Sequence, residues 1–173
     1  DNAPRYWSII DTPYTVTAIM CAPYNATAGL GDSVTVKAHL EGAQRVRDSV
    51  VLLTNIIQEY DLEGSVPETI LSMHPGQTFQ LDTTVSNEGN GADRYDITVH
   101  SITDTFGASH VWDIEIPRIL FSELDRDESQ TVPILLNVPE RTHAGQYTVV
   151  LHVLSEESYE GSRLRDVIEL QIE

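Results

Sequence analysis

The sequence has very little positive charge. Ten basic side chains stand against 27 acidic ones among 173 residues, which gives a formal net charge of −17, and Lys37 is the only lysine. A strongly acidic protein repels nucleic-acid phosphates and anionic lipid headgroups, so we expect no binding to nucleic acid. The same balance suits a protein that stays soluble in salty or cation-rich surroundings.

Cysteine is nearly absent as well. Cys21 is the one cysteine, so no disulfide can form within the chain, and stability has to come from burial and strand pairing. A free cysteine is most often a small buried apolar group, which is the expectation for Cys21. The alternative is a bridge between two molecules, since an odd cysteine in a secreted protein can pair intermolecularly.

Long apolar runs and catalytic motifs are missing too. No window of about 18 apolar residues occurs, so no membrane span is expected. The chain has no Gly-x-Ser-x-Gly motif, no Cys/His pairing and no phosphate-binding loop, and nothing places two carboxylates across a cleft. We therefore do not expect an enzyme. The polar start Asp1–Pro4, without an initiator methionine, fits an extracellular chain whose leader was removed, or a piece of a longer one.

Short alternations of apolar and polar residues dominate what is there. Apolar residues recur at every second position in Val34–Leu40, Phe79–Val85, Tyr95–Val99, Val132–Val138 and Tyr147–Val153. Clusters of Gly, Pro and Asn separate these runs, a pattern that predicts an all-β antiparallel sandwich. Pro133 interrupts a regular run and should mark an edge strand or a bulge, because it cannot donate to a ladder.

An internal repeat divides the chain. Thr131–Leu151 is echoed by Thr15–Val36, since in both an apolar run beginning Thr-Val ends in a proline and is followed by Ala-Gly and a second alternating run. Arg163–Ile168 is likewise echoed by Arg45–Val50. Residues 43–58 also fit a helical period, but their repeat partner alternates and favours a strand in both copies.

Three motifs between Ile70 and Ile172 carry a family resemblance. They are Pro-Gly-Gln before a strand, Val85–Tyr95 (VSNEGNGADRY) after it, and Val138–Val149 (VPERTHAGQYTV). Together they resemble the immunoglobulin-like modules beside carbohydrate-binding modules in bacterial α-galactosidases, and the related cell-adhesion modules of bacterial and archaeal surface proteins. The resemblance implies antiparallel immunoglobulin-like β-sandwiches. Its motifs specify chain reversals, so it implies no catalytic or binding residue.

The resemblance and the repeat together predict three segments. Residues 1–60 form a partial immunoglobulin-like unit completed by other strands, residues 61–67 form a linker or a strand shared between the two units, and residues 68–173 form a complete sandwich. The partial unit lacks counterparts of Thr69–Ile102, so it leaves an apolar face and open strand edges in water. The second unit, an upstream part of a longer polypeptide or a neighbouring subunit has to cover residues 1–58.

Of these three, we favour a neighbouring subunit as the source of the strands that cover residues 1–58. We expect a secreted structural subunit of a surface layer, sheath or filament from a prokaryote, with an archaeon as the favoured source. It forms a homo-oligomer or polymer through residues 1–58 by inter-subunit strand complementation. The alternative is an accessory glycan-binding or adhesive module of a larger secreted protein. Five aromatic residues could build a sugar-stacking platform in that case: Tyr6, Trp7, Tyr14, Tyr24 and Trp112.

Candidate sites are few. Asp125, Asp127 and Glu128 form an oxygen-rich turn that predicts calcium as a possible ligand, although the loop lacks the glycine and the distal glutamate of the calcium-binding helix-loop-helix motif. A solvated charged hairpin is the alternative. The triplet Asn25-Ala26-Thr27 makes Asn25 a candidate for glycosylation. The six histidines have no zinc-ligand spacing and are expected to be solvent-facing strand residues.

Overall fold

The computed structural model describes residues 17–40, 43–117, 123–156 and 165–173. Within these ranges the chain forms ten β-strands and no helix, which confirms the all-β prediction and the strand at residues 43–58. The described residues therefore contain no helix that could cross a membrane. The strands are β1 Gly31–Leu40, β2 Ala43–Asn55, β3 Leu62–Ser65, β4 Ile70–Leu71, β5 Thr78–Asn87, β6 Tyr95–Asp104, β7 Asp113–Glu115, β8 Ser129–Asn137, β9 Tyr147–Ser155 and β10 Arg165–Ile172.

Strands β3 to β10 form a two-layer sandwich. One sheet has the order β3-β5-β8-β7 and the other β4-β10-β9-β6. The neighbouring strands are antiparallel, except that β4 runs parallel to β10. With β3 and β4 taken as the two halves of strand A and β5 to β10 as B to G, the sheets become ABED and A′GFC. That is the strand order of the immunoglobulin fold, so the immunoglobulin-like prediction is confirmed at the level of topology.

The core lies between the two sheets. It is built from the apolar residues at alternate positions, because side chains of a strand point to opposite faces. Each fully buried Val, Leu or Ile side chain stabilises the fold by about 1.5–3 kcal/mol. The most deeply buried of these side chains are Leu81, Val132, Ile134, Leu136, Val149, Leu151, Val153 and Leu170.

Two turns explain the motifs that carry the family resemblance. The Gln77 amide donates to the His74 carbonyl at 3.0 Å, and Gly76 has a φ of 79°, as the third position of a type II turn requires. At the start of β9, the Tyr147 hydroxyl donates to the His143 carbonyl at 2.9 Å. This is the tyrosine corner of immunoglobulin-like sandwiches, which fixes the chain reversal before strand F.

Pro133 lies on the exposed side of β8. Strand β8 pairs with β5 over its whole length, whereas β7 pairs only with Leu135, Leu136 and Asn137. At Pro133 the strand therefore has a neighbour on one side only, within the described part of the chain. The expected edge position is confirmed, since a proline at an open edge removes no ladder hydrogen bond.

Residues 61–67, expected to be a linker or a shared strand, contain a strand of the sandwich. Leu62–Ser65 form β3, which pairs with β5, and the Gly64 amide donates to the Asp166 carboxylate at 2.8 Å. A Cβ atom on Gly64 would lie only 2.7 Å from Val153 Cγ2, so glycine permits this close packing. The sandwich thus begins at Leu62. The glycine and the acidic residues conceal the strand in the sequence, because β-propensity scales disfavour both.

Candidate functional site: the β-hairpin arm

Strands β1 and β2 form an antiparallel hairpin that belongs to neither sheet of the sandwich. Their register runs from Gly31 opposite Asn55 to Leu40 opposite Ala43, and they constitute a separate two-stranded sheet. We call residues 31–55 the arm. An isolated two-stranded hairpin is at best marginally stable in water. The arm therefore needs packing that the described part of this chain does not give it.

One face of the arm carries four apolar side chains, of which Val36 and Leu52 are half-buried. The opposite face also exposes apolar side chains, Val51 and Leu53, which pair with Thr35 and Ser33. Val34 lies opposite Leu52, and Val36 lies opposite Val50, so the four side chains share a face. Val34 is 40% exposed and Val50 is 54% exposed, although the alternation of β1 predicts a half-buried strand. A contiguous exposed apolar patch marks an interaction surface more often than a scatter of single residues does. We call these four side chains the apolar face of the arm.

The apolar face has a counterpart inside the sandwich. In the repeat, Val36 corresponds to Leu151 and Val50 to Ile168. Leu151 lies opposite Ile168 in the β9–β10 pair, just as Val36 lies opposite Val50 in the arm. The two hairpins therefore pair their repeat-equivalent positions in the same register.

The next pair of the repeat extends the correspondence. Val149 lies opposite Leu170 in the sandwich, as Val34 lies opposite Leu52 in the arm. The sandwich residues are completely buried, because the β3-β5-β8-β7 sheet packs on them. No sheet covers their counterparts within the described residues. The arm thus presents the inner face of an immunoglobulin-type sheet without the opposing layer.

Asn90 joins the base of the arm to the sandwich. Its side chain accepts a hydrogen bond from the Glu59 amide at 2.8 Å and donates to the Ile57 carbonyl at 3.0 Å. Its backbone amide donates to the Glu59 carbonyl at 3.1 Å, and its carbonyl accepts from the Ala28 amide at 2.9 Å. One residue therefore binds both chain segments that lead into the arm, which fixes where the arm projects.

Two glycines beside Asn90 allow this close approach. A Cβ atom on Gly89 would lie 2.6 Å from the Glu59 carbonyl oxygen, and one on Gly91 would lie 2.9 Å from the Ala28 Cβ. Contacts shorter than 3 Å cannot be tolerated without movement of the backbone. The motif Val85–Tyr95 predicts a chain reversal here, and its glycines also serve the contact with the arm.

A buried asparagine holds the same loop together. The Asn87 side-chain amide donates to the carbonyls of Gly91 and Leu124, at 2.8 and 2.9 Å, and its oxygen accepts from the Gly89 amide at 2.9 Å. Nearby, burial and then the acidic neighbours Asp93 and Asp61 raise the pKa of Tyr95 well above its ordinary value. The loop that carries the arm is therefore a rigid part of the sandwich.

A groove lies beside the base of the arm. It has a volume of about 460 Å³ and runs between residues 20–27 and the ends of β1 and β2. Cys21 lines this groove and is exposed, so the expectation of a buried apolar cysteine is wrong. The apolar run that begins at Thr15 and ends before Pro23 is not in a strand over residues 17–22. Residues 15–16 lie outside the described part.

The predicted calcium site gains no support from the arrangement of its residues. The Glu128 carboxylate accepts from the Asp125 amide at 3.0 Å, and an Asp127 carboxylate oxygen lies 3.3 Å from Arg126 Nε. Asp127 itself adopts a positive φ of 61°. Over the described ranges no group of three His, Cys, Asp or Glu side chains could hold a metal ion. The turn is closed by its own carboxylates, and calcium binding there stays a prediction.

Asn25 lies on the surface of the turn that leads into the arm. Its side chain is exposed, and its backbone carbonyl accepts from Arg126 Nη1 at 2.8 Å. An exposed position in a turn is accessible to a glycosylating enzyme. Glycosylation at Asn25 stays a prediction.

The aromatic residues do not form a common platform among the described residues. Trp112 is 8% exposed and Tyr24 is 99% exposed. Trp112 packs against Tyr147 with ring centroids 5.2 Å apart, where the two rings border a cavity of about 270 Å³ at the end of the sandwich remote from the arm. The other three aromatic residues proposed for glycan stacking, Tyr6, Trp7 and Tyr14, lie outside the described part.

Two histidine contacts were not expected from the sequence. The His100 and His152 rings are stacked, with centroids 4.1 Å apart and planes inclined by 16°. His110 Nε2 lies 3.0 Å from an Asp104 carboxylate oxygen, and this contact lowers the pKa of Asp104. The residues of each contact lie on different strands or across a loop, so their spacing in the sequence gives no signal.

Comparisons with known proteins give only remote likenesses. No family model matches the chain, and no curated protein matches it. Among solved structures it is similar to a family 123 glycoside hydrolase from Clostridium perfringens, with 9% identity and a TM-score of 0.47 over 64% of this chain and 26% of the hydrolase.

Two smaller proteins give similar matches. One is a PapD-like domain of human CEP192, with 15% identity and a TM-score of 0.44 over 64% of this chain and 83% of that domain. The other is AggA, the major subunit of aggregative adherence fimbriae type I from Escherichia coli, with 9% identity and a TM-score of 0.39 over 66% of this chain and 93% of the subunit. At these scores the likenesses carry no argument about function.

Proposed function

We propose that the protein is a structural subunit of an extracellular assembly, in which the arm of one copy is covered by strands of a neighbouring copy. The observation that supports the proposal best is the register shared by the arm and the β9–β10 hairpin. In the sandwich this hairpin face is buried under a second sheet, and in the arm the same face is exposed. The role proposed is mechanical and involves no turnover.

The attachment of the arm supports a contact between molecules. Hydrogen bonds of Asn90 hold the segments before β1 and after β2, and Gln58 Nε2 donates to the Ala92 carbonyl at 2.7 Å. These bonds hold the arm at both ends, and β1 and β2 stand as a sheet separate from the sandwich. The apolar face of the arm is then available to another molecule, and strand edges that lack a partner are a common means of joining protein chains.

A second copy is the simplest occupant of this surface. Every copy carries the same arm, so two arms can pack face to face by a two-fold operation and bury both apolar faces in an isologous contact. Within the described residues no strand pairs with the outer edges of β1 and β2, so further pairing at these edges allows growth beyond a dimer. The family resemblance to modules of prokaryotic surface proteins supports an extracellular location.

Substitutions on the two faces of the arm test the proposal. Val36→Asp and Leu52→Asp place a carboxylate on the apolar face, where its desolvation costs several kcal/mol on assembly. Thr35→Asp adds the same charge to the opposite face and is the matched control. We expect the unmodified chain and the control to associate as concentration rises, and both face variants to remain monomers, as measured by sedimentation velocity.

Each other outcome of this experiment bears on the proposal. An unmodified chain that stays a monodisperse monomer at high concentration would contradict it and would point to covering strands from elsewhere in a longer polypeptide. Association that Thr35→Asp disrupts as strongly as Val36→Asp would assign the contact to the other face. Far-ultraviolet circular dichroism verifies that all variants retain the sandwich.

A further inference from the structure

We propose that His100 and His152 form a binding site for a late first-row transition-metal ion, of which Zn²⁺ is the representative. The two residues lie on neighbouring strands of the β4-β10-β9-β6 sheet, on its outer surface. Imidazole is a preferred ligand of zinc, nickel and copper ions. The site is separate from the arm and from the carboxylates Asp125, Asp127 and Glu128.

The backbone of β6 is irregular at the first of these histidines. Pairing with β9 is regular up to Val99 opposite Leu151, and it resumes at Ser101 opposite Val150. His100 is therefore the extra residue of a β-bulge. A bulge changes the direction of a side chain and bulges are frequent beside functional sites. Alternation from Thr98, which lies opposite His152, already places His100 on the face of His152, and the bulge leaves His100 outside the regular ladder there.

The spacing of the rings suits two ligands of one ion. Two nitrogens bound to a tetrahedral zinc ion lie about 3.3 Å apart, because each Zn–N bond is about 2.0–2.1 Å long. The ring centroids are 4.1 Å apart and the planes are inclined by only 16°. The nearly parallel planes keep the nitrogen lone pairs from converging on one point, so binding requires the exposed His100 ring to turn about its side-chain torsions until one nitrogen of each ring faces the ion. The strands themselves need not move.

The surroundings give an ion access to the pair. His152 is half-buried whereas His100 is exposed, so one ring is held by packing and the other reaches solvent, where an ion can enter. The net charge of −17 also raises the local concentration of cations.

The residues around the pair leave coordination positions open. On the outer face His152 lies between Thr98 on β6 and Val167 on β10, and no third His, Cys, Asp or Glu of the described residues joins them. Water or a group of another molecule completes the coordination. The positive charge of Arg165 is close enough to act on His152, so it opposes binding and limits the affinity.

Titration with Zn²⁺ tests the site. The experiment uses the full chain with Cys21→Ser, because an exposed thiol also binds zinc. Isothermal titration calorimetry should detect binding of a single ion, and Zn²⁺ should raise the thermal midpoint by mass action. Both effects should disappear in His100→Asn and in His152→Asn, and Mg²⁺ at the same concentration should produce neither.

Two control variants identify the site. His143→Asn removes an exposed histidine outside the pair and should leave zinc binding unchanged. His110→Asn removes the partner of Asp104 and should do the same. The proposal is wrong if no zinc binds, if His100→Asn and His152→Asn bind as the parent does, or if His110→Asn abolishes binding. Measuring the thermal midpoint of each variant without zinc establishes that it is folded.

Discussion

The Thr83 hydroxyl is a polar group inside an apolar core. Thr83 lies on the inner face of β5, is completely buried, and its Oγ1 has no hydrogen-bond partner among the described residues. A buried polar group without a partner costs about 1–3 kcal/mol. The inner alternation Leu81, Thr83, Val85 therefore contains one residue that weakens the sandwich.

Replacing this hydroxyl should stabilise the protein. Thr83→Val keeps the shape of the side chain and removes the unsatisfied oxygen, so we expect the free energy of unfolding to rise by about 1 kcal/mol. Denaturant unfolding measures the change. Thr84→Val on the outer face is the control, because it breaks the 3.0 Å hydrogen bond between Thr84 and Thr131. An equal or larger gain in the control would refute this interpretation of Thr83.

His152 gives the stability of the sandwich a dependence on pH. Its pKa is lowered in the folded protein by burial and by the charges of His100 and Arg165, so the unfolded chain binds the proton more readily. The stabilisation is complete above the ordinary histidine value of 6.5 and declines as pH falls from there through the folded-state pKa.

Measuring the free energy of unfolding as a function of pH tests whether stability declines on acidification. The free energy of unfolding should fall between about pH 7 and pH 5, the range in which histidine takes up its proton. His152→Asn should flatten the fall, since the replacement cannot be protonated. His74→Asn, at an exposed turn position, is the control and should retain the slope of the parent. A slope that His152→Asn leaves unchanged would disprove the prediction.

At the scale of elements, the arm and the sandwich are two structures joined by one loop. Asn90 makes contacts to residues on both sides of the arm, whereas Asn87 holds the loop itself. The two asparagines are close in sequence and have separate effects. Substitution at position 90 should affect the orientation of the arm, and substitution at position 87 should affect the stability of the whole sandwich.

Alanine substitution separates these effects. Asn90→Ala removes two side-chain hydrogen bonds, so hydrogen exchange at the Ile57–Glu59 amides should accelerate with little change in sandwich stability. Asn87→Ala leaves buried backbone groups unsatisfied and should lower the free energy of unfolding by about 2–3 kcal/mol. If Asn90→Ala destabilises the sandwich as strongly as Asn87→Ala, the arm and sandwich fold as one unit, contrary to this account.

At the scale of the whole molecule, charge opposes the assembly that the arm is proposed to form. Each copy carries a formal charge of −17, so approaching copies repel each other, whereas the contact between arms is apolar. Salt screens repulsion over distances beyond about 10 Å at 0.1 M ionic strength. Salt does not weaken the apolar contact of Val34, Val36, Val50 and Leu52 in this way, because that contact involves no charges.

Added salt should therefore promote association. The apparent molecular mass at a fixed protein concentration should rise as sodium chloride is increased from about 20 mM to 0.5 M, and light scattering measures it. Sulfate at matched ionic strength should act more strongly, because it also strengthens apolar burial. Dissociation with added salt would mean that ion pairs hold the copies together, and the apolar face would lose its proposed role.

The local pattern of apolar and polar residues was sufficient to predict the fold class. A period of two in the apolar residues predicts strands wherever it occurs, and the motifs Pro75–Gln77 and Ala144–Tyr147 predict reversals between them. The same period identified Val34 and Val36 as one face of β1. It failed at β3, where Gly64 hides a strand that is defined by contacts with Val153 and Asp166.

The candidate sites depended on information that no local pattern contains. Asp125, Asp127 and Glu128 are close in sequence, yet the turn directs the Glu128 carboxylate to its own backbone and the Asp127 carboxylate to Arg126. His100 and His152 are distant in sequence, and the pairing of β6 with β9 brings their rings into contact. Cys21, expected to be buried, is exposed because residues 17–22 do not enter a sheet.

The sequence by itself determined that this protein is an antiparallel β-sandwich with a second, related hairpin, because side-chain alternation along a strand is fixed by the backbone alone. Only the tertiary structure decided which apolar faces are covered. Burial depends on what lies opposite a strand, so Val149 and Leu170 are inside the sandwich, whereas in the arm, at the same register, Val34 is exposed and Leu52 is only half-buried.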